Sequence, residues 1–228
     1  MIRRLTHLTG ELMITAGLFL LLFVPWQLWW TTVVAERESR VVAAALTESW
    51  AQPEETVQTE QAPVEPPVDQ PPGAGEPFGL LHIPRFGSGY EARPIVQGTS
   101  VQNLKAGVGH YPDTVMPGAV GNFSVAGHRT TYGAPLNLIA DLQPQDALVV
   151  ETESGWYTYR VTRHEIVAPT QVDVVAPVPG SPGTEPRQRL MTMTSCHPMY
   201  SARQRYIIHA EFDIFTPRAA GPPDSLTT

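Results

Sequence analysis

The sequence of 228 residues holds a single cysteine, Cys196. One cysteine excludes an internal disulfide framework and any multi-cysteine zinc site. There is no excess of basic charge: 15 Lys and Arg stand against 22 Asp and Glu, a formal net charge of −7. Without a basic footprint, a nucleic-acid partner is not expected. Two stretches lack charge of one or both signs. Residues 12–34 carry none, and residues 41–77 carry no Lys or Arg. The second stretch holds Glu48, Glu54, Glu55, Glu60, Glu65, Asp69 and Glu76, so the rest of the chain is formally neutral. Proline, by contrast, is abundant, and Pro53, Pro63, Pro66, Pro67, Pro71, Pro72 and Pro77 crowd into that same acidic stretch.

These shifts divide the chain. The apolar run 12–34 is about 23 residues, enough to cross a hydrocarbon core of ~30 Å as a helix. Trp26, Trp29 and Trp30 near its far end suit a membrane–water interface, and Arg3 and Arg4 before it favour a cytoplasmic N-terminus. A cleaved signal peptide has a shorter apolar core and small residues at its cleavage site, where this chain has bulky indoles. The expectation is a cytoplasmic N-terminus (1–11), an anchor (12–34) and a single pass through the cell membrane, with everything after it extracytoplasmic. Residues 35–77 read as an acidic, Pro-rich linker. It continues helically through Leu46 and is then disordered and extended, because it holds too few bulky apolar groups to offset the entropy of ordering. Removal of residues 1–77 is expected to leave a soluble, active domain. Residues 78–217 are long enough for a core of their own, and residues 218–228 read as a disordered tail.

The pattern in 78–217 is mainly β. Strands are predicted at 79–83, 93–96, 122–127, 147–152, 156–166, 190–194 and 205–215, with a hairpin turn at Ser154-Gly155 and short helices at 99–106 and 135–142. Short strands punctuated by Gly and Pro indicate a sandwich or a closed barrel.

The lone cysteine of an exported chain either pairs with another molecule or keeps a reactive thiol. Most free cysteines are small buried hydrophobes. Cys196, however, ends the alternating run Leu190-Met191-Thr192-Met193-Thr194-Ser195, just before His197-Pro198. A strand end opening into a loop presents a nucleophile rigidly. A thiolate is favoured by a nearby imidazolium or guanidinium. Of seven histidines, His128 stands out because it closes the strand at Ala126-Gly127-His128-Arg129-Thr130. His197 adjoins Cys196, but neighbours on a strand point to opposite faces. His82, His110, His164 and His209 fit ordinary hydrogen-bonded or surface roles. For an oxyanion, Arg203 and Arg205 are both near, and spacing alone does not choose between them.

Thr194-Ser195-Cys196 followed by Arg205, with Ala126-Gly127-His128-Arg129-Thr130 upstream, resembles the motif pair of the sortase family. The stretches 107–133 and 192–205 are most similar to class E sortases. The resemblance spans residues 78–217 and implies a closed sortase-type β-barrel of about eight strands with short helices. It implies Cys196 as nucleophile, His128 as catalytic histidine and Arg205 as catalytic arginine. Tyr111, Thr194 and Ser195 are the implied substrate-binding residues, with Tyr111 linked to preference for Ala over Pro at the second signal position. Met193 and Ser195 stand where Leu and Thr are commoner, a mild departure. The implied reaction cleaves a Leu-Ala-x-Thr-Gly or Leu-Pro-x-Thr-Gly type signal between Thr and Gly through a thioacyl enzyme. The protein substrate then passes to a cell-wall amine. Its partners would be surface proteins bearing that signal, a peptidoglycan precursor and the membrane. No cofactor or metal is expected, since no acidic cluster has calcium-loop spacing.

Three alternatives compete. L,D-transpeptidases place an arginine within a few residues of the nucleophile, whereas Arg205 lies nine positions beyond Cys196. A non-catalytic tethered β-barrel binding protein explains the anchor but gives Cys196, His128 and Arg205 no joint reason to exist. A pilin-polymerising sortase would carry an Asp-aromatic lid, which the Pro-rich segment lacks.

Overall fold

Apolar residues at every second position give a strand one face for a core. Eight such segments close on one another in this computed structural model, which describes residues 2–51 and 65–227. They are β1 (Pro77–His82), β2 (Arg93–Gln97), β3 (Val108–His110), β4 (Gly121–Ala126), β5 (Ala147–Glu151), β6 (Gly155–Val167), β7 (Arg189–His197) and β8 (Gln204–Pro217). The barrel order is β1-β2-β3-β4-β7-β8-β6-β5. Neighbours are antiparallel except β2–β3 and β4–β7, which run parallel. Closure removes the open edges that would otherwise invite pairing with other chains.

The interior follows the alternation. Met191 and Met193 of β7 meet Phe123 and Val125 of β4 and Ile208 and Ala210 of β8, all at most 1% exposed. Burying each large side chain contributes about 1.5–3 kcal/mol. A one-residue slip would send a whole row outward, so the core fixes register. Thr192, Thr194 and Cys196 consequently lie on the outer face of β7. Part of that face is covered by the β6–β7 connection, where Val174 of the 3-10 turn Val172–Val175 packs with Val167 and Ile207.

The barrel agrees with the predicted strands, with three adjustments. β3 is too short to show a period and was absent from the predicted set. β7 continues through Cys196 to His197. The helix expected at 135–142 reduces to the 3-10 turn Ile139–Asp141, because Leu136 N–H donates to His128 O and holds the start of that segment in a loop. The helix expected at 99–106 is α1 (Val101–Ala106), capped by Ser100.

The N-terminal part departs further from expectation. One helix, which precedes α1 and is termed αN, runs from Ile2 to Trp50 and includes Pro25. Its apolar half is long enough to cross a membrane and is not buried against the barrel. Its other half docks: Ala35, Ser39 and Trp50 are buried, and Arg40 Nε donates to Glu91 Oε2 at 2.7 Å. The helical continuation expected through Leu46 therefore runs four residues further, to Trp50. Residues 52–64 lie outside the described residues. Residues 65–76 lie on the barrel, and polar contacts supply what their composition lacks. Asp69 accepts from Thr152 and Ser154 hydroxyls at 2.9 and 2.7 Å, and Tyr157 donates to Pro67 O at 2.8 Å. The tail expected to be disordered forms the turn Arg218–Ala220 and a short helix, Asp224–Thr227, whose Leu226 packs on Ala147, Val149 and Trp156.

Candidate active site

Strand pairing joins two of the three chemically singled-out residues, and the third follows the end of a neighbouring strand. β8 lies antiparallel to β7 and sets Arg205 directly opposite Cys196. Side chains of directly opposed residues share a face. β4 lies parallel on the other flank and sets Ala126 opposite Thr194. β4 ends there, and His128 follows two residues later in the loop that leaves this end of the ladder. The backbone stays attached to that point, since Gly127 N–H donates to Thr194 O at 3.1 Å and Ser195 Oγ donates to Gly127 O at 2.8 Å. Gly127 is also forced by packing: a Cβ there would sit 2.8 Å from Leu136. Arg203 stays in the exposed loop before β8. Register thus sets Arg205, and not Arg203, opposite Cys196.

Each of the three has unfilled bonding capacity. Cys196 is free and half-buried. His128 is half-buried against the Tyr132 ring, 5.2 Å between centroids, and its Nε2 has no hydrogen-bond partner among the described residues. Burial, and then the charge of Lys105, hold the His128 pKa below the ordinary imidazole value. The neutral imidazole, a proton acceptor, is therefore favoured at rest. Arg205 Nη1 donates to the Ala202 and Gln204 carbonyls, both at 3.0 Å, which leaves its other N–H groups available.

Arg129 belongs to this site and sequence reasoning gave it no role. It is buried, and its Nη1 donates to Cys196 O at 3.3 Å and His197 Nδ1 at 2.9 Å. The loop that carries His128 is thereby clamped to the backbone of the nucleophile. The only signal was its position next to His128. His197 turns to the opposite side from Cys196, 5.6 Å from the Tyr206 ring, as strand alternation requires.

Of the expected substrate-binding residues, Tyr111 and Thr194 are joined by a hydroxyl–hydroxyl bond of 2.9 Å on the same outer face, and Tyr111 is half-exposed. Ser195 differs. It is buried, and its hydroxyl is committed to Gly127 O, so it ties β7 to β4 instead of facing a groove. Three further histidines are engaged elsewhere: His82 pairs with Glu151, His110 is buried with its pKa pushed down to about 4, and His209 lies between Thr192 and Glu165. Among the described residues, no three His, Cys, Asp or Glu side chains gather as a metal site.

Known proteins share this sequence pattern and fold. The family model described as the sortase domain matches residues 81–213. Sortase SrtE1 of Streptomyces coelicolor is 36% identical over 227 residues, which cover 96% of this chain and 60% of the relative, so the chain spans less than two thirds of that protein. Sortase SrtE2 of the same organism is 35% identical over 211 residues, 89% of this chain and 79% of its own. Among solved structures, the SrtA sortase from Actinomyces oris superposes with a TM-score of 0.69 at 40% identity, covering 72% of this chain and 94% of that one. Sortase E from Streptomyces avermitilis gives a TM-score of 0.61 at 39% identity, covering 68% and 99%.

Proposed function

The chain belongs to the sortase family of cysteine transpeptidases, and on that premise we propose that it cuts a Leu-Ala-x-Thr-Gly or Leu-Pro-x-Thr-Gly type signal after Thr and joins the new end to a cell-wall amine. Cys196 is the nucleophile, His128 the proton carrier and Arg205 the oxyanion or substrate-backbone donor. The observation that supports this reading is the strand register, which sets Arg205 opposite Cys196, with the loop that enters His128 bonded to Thr194 O through Gly127 N–H.

The steps follow from the resting groups. Neutral His128 takes the thiol proton as sulfur attacks the Thr carbonyl, forming the S–C bond. Charge gathers on the carbonyl oxygen, where the fixed N–H fork of Arg205 can donate. Collapse breaks the C–N bond, and His128 returns its proton to the departing Gly amine. A second amine attacks the thioester and gives a proton to His128. The new C–N bond replaces C–S, and Cys196 regains the proton. Tyr111 and Thr194, joined on the same face, form the wall for the signal residues preceding Thr.

The apolar half of αN supports single-pass anchoring, and Arg3 and Arg4 support a cytoplasmic N-terminus with the barrel outside. The partners are surface proteins ending in a sorting signal, with a peptidoglycan precursor supplying the amine. The test uses the full chain in detergent with a peptide panel varying Ala against Pro at the second position, plus an amine acceptor. The expected result is cleavage between Thr and Gly and a mass adduct on Cys196. Absence of both for every peptide would overturn the reading.

A further inference from the structure

Below the three residues, the outer face of the barrel carries a polar row that the reaction does not use. It crosses four elements. Glu165 Oε1 of β6 lies 2.8 Å from His209 Nε2 of β8. His209 Nδ1 lies 3.0 Å from Thr192 Oγ1 of β7. Thr192 Oγ1 donates to Asn122 Oδ1 of β4 at 2.9 Å. Asn122 Nδ2 then donates to Ala176 O at 3.0 Å, with Val174 O at 3.5 Å. The row is buried at His209, Thr192 and Asn122. Its last link reaches the β6–β7 connection, whose Val174 packs on Ile207, the residue opposite Thr194.

Counting protons along the row fixes its state. Two carbonyls face the Asn122 amide, so its NH2 end must point at them and its oxygen must accept from Thr192. The Thr192 hydroxyl has one hydrogen, now spent, so it can only accept from His209 Nδ1. Glu165 also only accepts. Both ring nitrogens of His209 must therefore carry hydrogen, and the complete row needs the imidazolium. We propose that His209 is a positioning residue: as imidazolium it holds Glu165 and Thr192 together, and through Asn122 it secures the Val172–Val175 turn beside the Cys196 strand.

Loss of that proton propagates. The charge-assisted bond to Glu165 is the stronger one and keeps the remaining hydrogen on Nε2. Nδ1 becomes an acceptor, the Thr192 hydroxyl turns to it, and Asn122 Oδ1 loses its donor. The charged groups facing His209 are Glu165 and Arg163, both from β6; β7 and β4 offer only Thr192 and Asn122. Burial holds the imidazole below its ordinary pKa, with the Glu165 bond opposing. The row is thus complete at acidic pH and is lost as pH rises through the lowered value.

The test is amide hydrogen exchange of residues 172–176 in the full chain, corrected for intrinsic rates, at about pH 5 and about pH 8. Wild type should lose protection roughly five-fold on going to the higher pH, and Asn122→Ala should lose it at both. Glu165→Gln is the decisive variant. Its amide can donate to Nε2 of a neutral His209, which completes the row without the extra proton, so the pH difference should disappear. A pH difference unchanged in Glu165→Gln, or an Asn122→Ala chain as protected as wild type, would overturn the proposal. Glu165 is partly exposed, so its variant is a second probe should Asn122→Ala fail to fold. The kinetic arm rests on the transpeptidase reading: KM for the signal peptide should rise about five-fold in Asn122→Ala with kcat unchanged. Exchange needs no peptide, so the two readings fail separately.

Discussion

Two polar clusters sit on opposite sides of the barrel and are built on opposite principles. On the β1–β5–β6 side, Glu151 is buried and saturated. Its two carboxylate oxygens meet His82 at 2.7 Å and Arg218 at 3.1 Å. Arg218 in turn lies between the Trp50 and Trp156 rings, 4.8 and 4.7 Å from their centroids, and donates to the Thr152 and Glu153 carbonyls. On the β4–β7–β8 side are a free thiol, a half-used guanidinium opposite it and an imidazole nitrogen with no hydrogen-bond partner among the described residues. A saturated cluster fastens the tail and the end of αN to the barrel. An unsaturated one has bonding capacity left for a substrate. The difference separates stability from chemistry within one small domain.

The contrast breaks most sharply at the thiol. Cys196→Ala should lower transpeptidation by at least about 1000-fold with the melting temperature unchanged, measured by product formation and thermal unfolding. An unchanged rate would remove the chemical half of the comparison. Next, Arg205→Lys should cost roughly 100-fold in kcat/KM, because a point charge does not reproduce the planar fork. Equal rates would reduce Arg205 to a loop staple.

At the other cluster the expected effects reverse. Glu151→Gln should cost about 1–3 kcal/mol of stability by denaturant titration and leave kcat/KM within about two-fold. Burial pushes the Glu151 carboxyl up, but His82 and Arg218 hold its pKa below the ordinary value on balance. A carboxylate with a depressed folded pKa stabilises above its unfolded pKa and loses that contribution as pH falls through the folded one. Wild type should therefore lose stability in acid more steeply than Glu151→Gln. The smallest effect is at Lys105. Its charge holds the His128 pKa down, so Lys105→Met should move the acid limb of kcat/KM upward by a few tenths of a pH unit. A limb that stays put would detach either Lys105 or His128 from the reaction.

Much of this was legible in the sequence because strands advertise themselves by period two. Met191 and Met193 alternate with Thr192 and Thr194, and the barrel interior holds the first pair. β3 escaped because Val-Gly-His is three residues long. The contacts of residues 65–76 escaped for a different reason. Composition measures what a segment can bury, and these residues attach through Asp69 and the Pro67 carbonyl, which no hydropathy pattern shows. At the candidate site, the positions of Cys196 near the end of β7 and of His128 just past β4 were readable from the pattern. Arg205 over Arg203 was a matter of family likeness until pairing put it opposite the thiol. Arg129 was passed over since a buried arginine looks like any other until its acceptors, here Cys196 O and His197 Nδ1, are known. Ser195 entered through the family resemblance, whereas strand alternation turns its side chain away from the Cys196 face.

The parallel contact between β4 and β7 has a bearing on how such a chain can change over time. Loops on either side can lengthen or shorten without moving the ladder between them. A single codon lost inside β7 cannot be absorbed that way: it would rotate Cys196 to the inner wall while every apolar count stayed nearly the same. Insertions and deletions should therefore collect in the connections and be absent from residues 189–197.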